Sequence, residues 1–67
     1  MRMRIEVNGE AREVRQGSLN DILAQLGFND ALVATAVNGD FVPKAARVDH
    51  QLRQGDRLEV VAPMQGG

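Results

Sequence analysis

The side chains that ordinarily perform catalysis occur once each in this chain of 67 residues: Ser18, Thr35, Lys44 and His50. Cysteine is absent, which excludes disulfides, thiolate zinc sites and a cysteine nucleophile. Ser18 stands directly before an apolar-periodic segment as a helix cap, so a Ser-His-acid triad would require that cap to be given up. His50 is flanked by polar residues, and we interpret it as a solvated loop histidine rather than a metal ligand. The sequence therefore predicts no catalytic residue and no metal site in this chain.

The sequence "VVAPMQGG" points to a different kind of chemistry, at Gly66-Gly67. A diglycine can enter a channel that any Cβ would block, although chain ends also fray without a function. An α-carboxylate is ionised and unreactive at neutral pH, so it must be activated from outside, typically by attack on ATP to give an acyl-adenylate. We expect a flexible tail over 64–67, in which Met64, Gln65 and Gly66 enter a partner's channel and Gly67 is modified.

The composition narrows the class of protein. Eight basic and nine acidic residues give a net charge of −1, so no basic field is available to attract nucleic acid. The N-terminal stretch "MRMRIEVNGE" alternates charged and apolar residues and lacks the apolar run of a signal peptide. No later segment is apolar enough to span a membrane. We expect a soluble, cytoplasmic, single-domain protein that is monomeric when free.

Two Asn-Gly pairs, Asn8-Gly9 and Asn38-Gly39, predict β-hairpins with tight type I′ turns. The alternation of apolar and charged residues predicts strands around the first turn. Before the second turn, "ALVATAV" is ambiguous between helix and strand, since alanine favours helix, and the Asn-Gly pair directly after it favours a strand. The predicted ranges are Met3–Val7 with Ala11–Val14, and Leu32–Val37 with Asp40–Val42. Ala11–Val14 is highly charged, which is typical of an edge strand.

Between the hairpins, Ser18 and Asp21 form an acidic capping box at the start of a predicted helix, and Gly27 is placed as its left-handed C-cap. The apolar face of this helix recurs with helical spacing at Leu19, Ile22, Leu23 and Leu26. Residues 44–54 are irregular, with a single helical turn at "KAARV", and Arg57–Ala62 is the last strand. The order ββαββ-β predicts an α+β mixed sheet with one main helix, over residues 1–63. We expect the last strand to lie parallel to the first, between the two hairpins.

The face of the sheet away from the helix is a candidate surface for docking a partner. Val61 points to that face if Leu58, Val60 and Ala62 point inward. Phe41 is a second candidate for this face. Because the chain has only two aromatic residues, however, we favour packing of the Phe41 side chain in the core. Exposed arginines could steer an acidic partner, the candidates being Arg4, Arg47, Arg53 and Arg57.

Over nearly its whole length the chain resembles the ThiS family of β-grasp, ubiquitin-like sulfur carriers in thiamine biosynthesis. The resemblance rests on "AVNGDFVP", "LRQGDRLEVVAPMQGG" and the chain length. It implies that a ThiF-type adenylyltransferase activates the Gly67 carboxylate with ATP and Mg²⁺, and that this chain binds no cofactor. A persulfide, of the kind a cysteine desulfurase makes, then converts the adenylate to a thiocarboxylate. A ThiG-type thiazole synthase is the implied recipient of the sulfur, for the thiazole ring.

Other functions are compatible with a terminal diglycine. The small subunit of molybdopterin synthase also presents a thiocarboxylate, but it is usually longer between the helix and the last strand. Residues before the diglycine are often larger in relatives than Pro63, Met64 and Gln65 are here. A ubiquitin-like modifier would join Gly67 to a partner lysine, and in a plain interaction module the diglycine would be incidental.

Overall fold

The structure, a computed structural model, describes residues 1–28 and 32–62. These residues form five strands, one α-helix and one 3₁₀ helix. The strands are β1 (Arg2–Val7), β2 (Glu10–Arg15), β3 (Ala34–Val37), β4 (Asp40–Val42) and β5 (Arg57–Val61). The α-helix α1 spans Leu19–Leu26, and the 3₁₀ helix spans Lys44–Asp49. The boundary predicted at 63/64 and the tail 64–67 lie outside the described residues.

The five strands form one mixed sheet in the order β2-β1-β5-β3-β4. β5 runs parallel to β1 and antiparallel to β3, which confirms the predicted insertion between the two hairpins. Both hairpins turn on residues with positive φ, 50° and 87° at Asn8-Gly9 and 52° and 88° at Asn38-Gly39. Paired positive φ values define the tight turn whose twist matches antiparallel strands. The sequence "NG" thus determines where each hairpin reverses.

Helix α1 begins and ends at the predicted caps. The Ser18 hydroxyl accepts a hydrogen bond from the Asp21 N–H at 3.3 Å, and the Asp21 carboxylate accepts one from the Ser18 N–H at 3.1 Å. A Cβ at Gly17 would lie 2.8 Å from the Asp21 Oδ2, so the capping box requires glycine at that position. Gly27, at φ 83°, ends the helix in the left-handed conformation.

The core lies between α1 and one face of the sheet. Alternate residues of the strands point into it, among them Met3, Ile5 and Val7 of β1. From the helix, Leu19, Ile22 and Leu23 are fully buried and Leu26 is partly buried. The remaining buried apolar side chains are Val14, Val37, Val42, Leu52, Leu58 and Val60. A single apolar layer therefore holds the helix to the sheet.

Several element boundaries differ from the predicted ones, and β1 starts one residue earlier while β2 is one residue longer at each end. β3 starts at Ala34 rather than Leu32, whose side chain is 52% exposed, so it lacks the burial that would hold it in a strand. β5 ends at Val61, and Ala62 is exposed rather than inward. The single helical turn expected at "KAARV" is a 3₁₀ helix of six residues, which begins directly after Pro43.

Leu23→Ala should lower the free energy of unfolding by roughly 2–5 kcal/mol, because it opens a cavity between α1 and the sheet. The matched control is Leu32→Ala, which truncates an exposed leucine and should change stability by less than about 0.5 kcal/mol. Urea denaturation followed by circular dichroism measures both. Equal midpoints for the two variants would show that the Leu23 side chain does not support the core.

Candidate functional site

The face of the sheet opposite α1 is open and divides into an apolar and a charged part. In β5, Leu58 and Val60 point into the core, so Arg57, Glu59 and Val61 point to the open face. In β1 the same alternation turns Arg2, Arg4 and Glu6 outward. Apart from Ala11 of β2, the apolar residues of this face therefore come from β3, β4 and the end of β5.

These apolar residues line a groove of about 750 Å³. Phe41 and Val61 are its large side chains, at 69% and 62% exposure. Ala36 is the cross-strand partner of both Phe41 and Glu59, and Ala34 is the partner of Val61. Two alanines between two larger side chains leave a depression. The groove therefore suits an apolar side chain from a partner, since burying apolar area stabilises association.

Charged residues of both signs border the groove at its β1 side. Glu6 and Arg57 are neighbours across the parallel β1–β5 pair, and Glu59 follows on β5. Their side chains are exposed. An apolar centre with a charged rim is the usual composition of a protein–protein interface.

The structure brings the three predicted docking residues together, because Val61, Phe41 and Arg57 all line this groove. Their role in docking stays a prediction. The preference for core packing of Phe41 is wrong, since Val42 takes the inward position of the short strand β4 and Phe41 points the other way. Met64, Gln65, Gly66 and Gly67 lie outside the described residues.

The prediction that Arg47 is an exposed arginine is wrong. Arg47 is only 2% exposed, on the 3₁₀ helix. Its Nε donates to the Thr35 hydroxyl at 3.1 Å and a terminal guanidinium nitrogen donates to the Val33 carbonyl at 2.7 Å. The Thr35 hydroxyl in turn donates to the Val42 carbonyl at 2.9 Å. Arg47 therefore ties the 3₁₀ helix to the second hairpin, while Arg4, Arg53 and Arg57 are exposed.

His50 is half-buried rather than fully solvated. Its backbone carbonyl accepts a hydrogen bond from the Leu19 N–H at 2.8 Å, so the residue has a structural role at the start of α1. Among residues 1–28 and 32–62, no three His, Cys, Asp or Glu side chains are grouped to hold a metal ion.

Sequence reasoning missed the alanine floor of the groove and the amide contacts of Asn8, whose side chain borders it. The alternation in "ATAV" contains a signal for the floor, because the small residues Ala34 and Ala36 share one face while Thr35 and Val37 share the other. No local pattern signals the Asn8 contacts, which join residues 52 positions apart.

A mixed five-stranded sheet packed on one helix, with its last strand inserted parallel to the first, defines a β-grasp domain. The sequence matches the ThiS family model over residues 5–67. The chain belongs to the ThiS family, the sulfur carriers of thiamine biosynthesis.

Individual relatives agree with this assignment. The chain is 38% identical over 61 residues to the sulfur carrier protein ThiS of Thermus thermophilus, covering 91% of this chain and 95% of that one. It is similar to the crystal structure of a thiamine biosynthesis protein, ThiS, from Geobacter metallireducens, with TM-score 0.83 and 25% identity over 97% of this chain and 100% of that one.

A longer relative is a thiazole synthase of Paramagnetospirillum magneticum. It is 33% identical over 66 residues, which cover 97% of this chain. This chain spans 20% of that protein's length.

In the part of the chain that the structure describes, no helix has the length and apolarity needed to cross a membrane.

Arg47→Lys should lower the free energy of unfolding by about 1–3 kcal/mol. Lysine keeps the charge but cannot donate in the two fixed directions that reach Thr35 and Val33, so buried acceptors lose their partners. Arg53→Lys changes an exposed side chain and is the matched control, with an expected change below about 0.5 kcal/mol. Thermal denaturation compares them, and equal losses in both variants would contradict the assigned role of Arg47.

Proposed function

We propose that this chain transports sulfur as a thiocarboxylate on the C-terminal carboxylate of Gly67. It acts as a protein co-substrate in the cytoplasm, is monomeric when free, and binds no cofactor. The observation that supports this proposal is family membership, combined with an open docking groove on β5, the strand that precedes "PMQGG".

The chemistry begins with activation of an unreactive group. In an adenylating partner of ThiF type, the Gly67 carboxylate attacks the α-phosphate of Mg²⁺-bound ATP, so that an acyl-adenylate forms and pyrophosphate leaves. The terminal sulfur of a persulfide then attacks the acyl carbon, and AMP leaves. A second thiol reduces the resulting acyl disulfide, which releases the thiocarboxylate and leaves a disulfide on the donor side.

The composition of the chain favours its terminus as the place where sulfur is held. With no cysteine, the chain has no thiol on which to form a persulfide of its own. A thiocarboxylate is ionised at neutral pH, and its sulfur is the softer nucleophile of the two terminal atoms. Diglycine gives the partner's backbone close access to the carbonyl carbon, because no Cβ intervenes.

A thiazole synthase of ThiG type is the proposed recipient of the sulfur. The similarity of this chain to one segment of the Paramagnetospirillum magneticum thiazole synthase supports this pairing. A carrier must meet its activating enzyme and its recipient in turn. We propose that both use the groove lined by Phe41, Val61 and Arg57, with the apolar pair supplying affinity and Arg57 steering the encounter.

Changing the length of the terminus should abolish sulfur transfer without affecting the fold. Deletion of Gly67 shortens the reach by one residue, about 3.3–3.6 Å, and an alanine appended after Gly67 overshoots by the same amount. Reacting atoms must approach within about 3–3.5 Å, so neither variant should accept sulfur. The assay incubates each protein with ATP, the adenylating partner and a sulfur donor.

Trypsin then releases residues 58–67 as one peptide after Arg57, and its mass locates the modification. The parent peptide should gain the mass difference of sulfur for oxygen, while both variants stay unmodified. Equal modification of all three proteins, or none in the parent with its partners present, would overturn the proposed function.

Val61→Ala should raise the KM of the adenylating partner for this chain at least about fivefold, which corresponds to about 1 kcal/mol of docking energy. Val48→Ala is the control, since Val48 is similarly exposed, at 58%, but does not line the groove. Initial rates of pyrophosphate release at varied carrier concentration give both values. An equal KM in the two variants would place docking elsewhere.

A further inference from the structure

Strand β5 pairs with β3 over more residues than with β1. It is in register with β3 from Leu58 to Val61, but with β1 only at Arg57 and Leu58. β1 ends at Val7, and the backbone then reverses at Asn8-Gly9. On its β1 side, the backbone of Val60 therefore has no strand beside it.

The side chain of Asn8 fills that position. Its Oδ1 accepts a hydrogen bond from the Val60 N–H at 2.9 Å, and its Nδ2 donates to the Val60 carbonyl at 3.1 Å. The backbone N–H of Asn8 donates to the Leu58 carbonyl at 2.9 Å. A carboxamide has one acceptor and a donor, like a peptide group. Asn8 thus continues the β1–β5 ladder by one further step with its side chain.

The turn alone does not explain this arrangement. Positive φ at the first turn position requires Asn, Asp or Gly, and glycine would satisfy it equally well. The other hairpin provides an internal comparison. Asn38 accepts from the Arg57 N–H at 2.9 Å and donates to the Asp56 carboxylate at 3.0 Å, at the start of the same strand. One asparagine therefore holds the first residue of β5, and the other holds its last core residue.

We propose that Asn8 is a positioning residue for delivery of the C-terminal carboxylate, because it fixes the point at which the chain leaves the sheet. This inference rests on the proposed function. Val60 is followed by Val61 in the docking groove and stands seven positions before Gly67. Asn38 holds the opposite end of β5, so its loss leaves that exit point unchanged.

The expected effect follows from how the reacting group is attached to the fixed domain. If the end of β5 separates from its β1 side, Val61 no longer has a fixed position relative to Phe41 and the rest of the groove. The carboxylate is attached beyond that point, so its effective concentration at the reacting partner falls and its orientation is lost. The docking groove itself keeps Phe41, Ala34 and Ala36 on the β3–β4 hairpin.

The experiment compares Asn8→Gly with Asn38→Gly. Both variants retain a turn sequence that permits positive φ, and both remove one carboxamide with two hydrogen bonds to the β5 segment. Each should lower Tm by a similar amount, about 4–8 °C. For adenylation by the partner at saturating concentrations of the carrier, kcat should fall about three- to tenfold in Asn8→Gly. In Asn38→Gly, kcat should stay within about twofold of the parent.

Hydrogen exchange supplies a second readout that needs no partner. The Val60 amide should exchange at least about tenfold faster in Asn8→Gly than in the parent, but not in Asn38→Gly. If Asn8→Gly does not fold, Asn8→Asp tests the adenylation rate instead, since aspartate keeps the acceptor for the Val60 N–H and replaces the donor to the Val60 carbonyl by a charged oxygen.

Each result for kcat and amide exchange either supports or contradicts the proposed role of Asn8. Equal kcat values in the two variants at equal stability would reduce Asn8 to a structural residue, and so would unchanged exchange of the Val60 amide. The parent protein is never adenylated if the proposed function is wrong. If its Val60 amide nevertheless exchanges faster in Asn8→Gly, the contact between Asn8 and Val60 stands. A fall in kcat confined to Asn8→Gly supports the inference.

Discussion

Strand β5 pairs with β1 on one side and with β3 on the other, and the sheet has no other link between its two hairpins among the described residues. Each hairpin can form from local sequence, because its turn joins neighbouring strands. Their association requires the last strand, which contributes Leu58 and Val60 to the core and presents Val61 on the opposite face. The same strand thus completes the fold and leads to the segment proposed to react. Packing of the core and the proposed delivery of the C-terminal carboxylate therefore depend on the same hydrogen bonds of β5.

The sequence predicts the parts of this fold that depend on local chemistry. Asn8-Gly9 and Asn38-Gly39 define the reversals, Ser18 and Asp21 define where the helix starts, and period-2 alternation separates the core from the open face. The order of these elements extends the prediction to the topology, with the last strand between the two hairpins. What could not be predicted depends on contacts between distant residues. The strand alternation allows Phe41 either face, and only the position of Val42 opposite Thr35 settles it.

The burial of Arg47 is a second feature that could not be predicted, because it depends on polar contacts between distant residues. A lone arginine in a polar loop has the composition of a surface residue, yet its guanidinium is enclosed between β3 and the 3₁₀ helix. Its partners include the Thr35 hydroxyl and the Val33 carbonyl, and neither has a sequence signature. A buried charge is costly unless its hydrogen bonds are satisfied. The consequence is that the side of the domain away from the groove of Phe41 and Val61 is held by directed polar contacts as well as by apolar packing.

The two Asn-Gly turns also have a chemical consequence, because an asparagine followed by glycine is prone to deamidation. The unhindered amide nitrogen of a following glycine can attack the asparagine side-chain carbonyl carbon and expel ammonia, and hydrolysis of the succinimide leaves aspartate or isoaspartate. At position 8 this replaces the nitrogen that donates to the Val60 carbonyl by a charged oxygen. At position 38 it places a second carboxylate beside Asp56. Deamidation at either turn therefore alters the side-chain contacts that hold one end of β5.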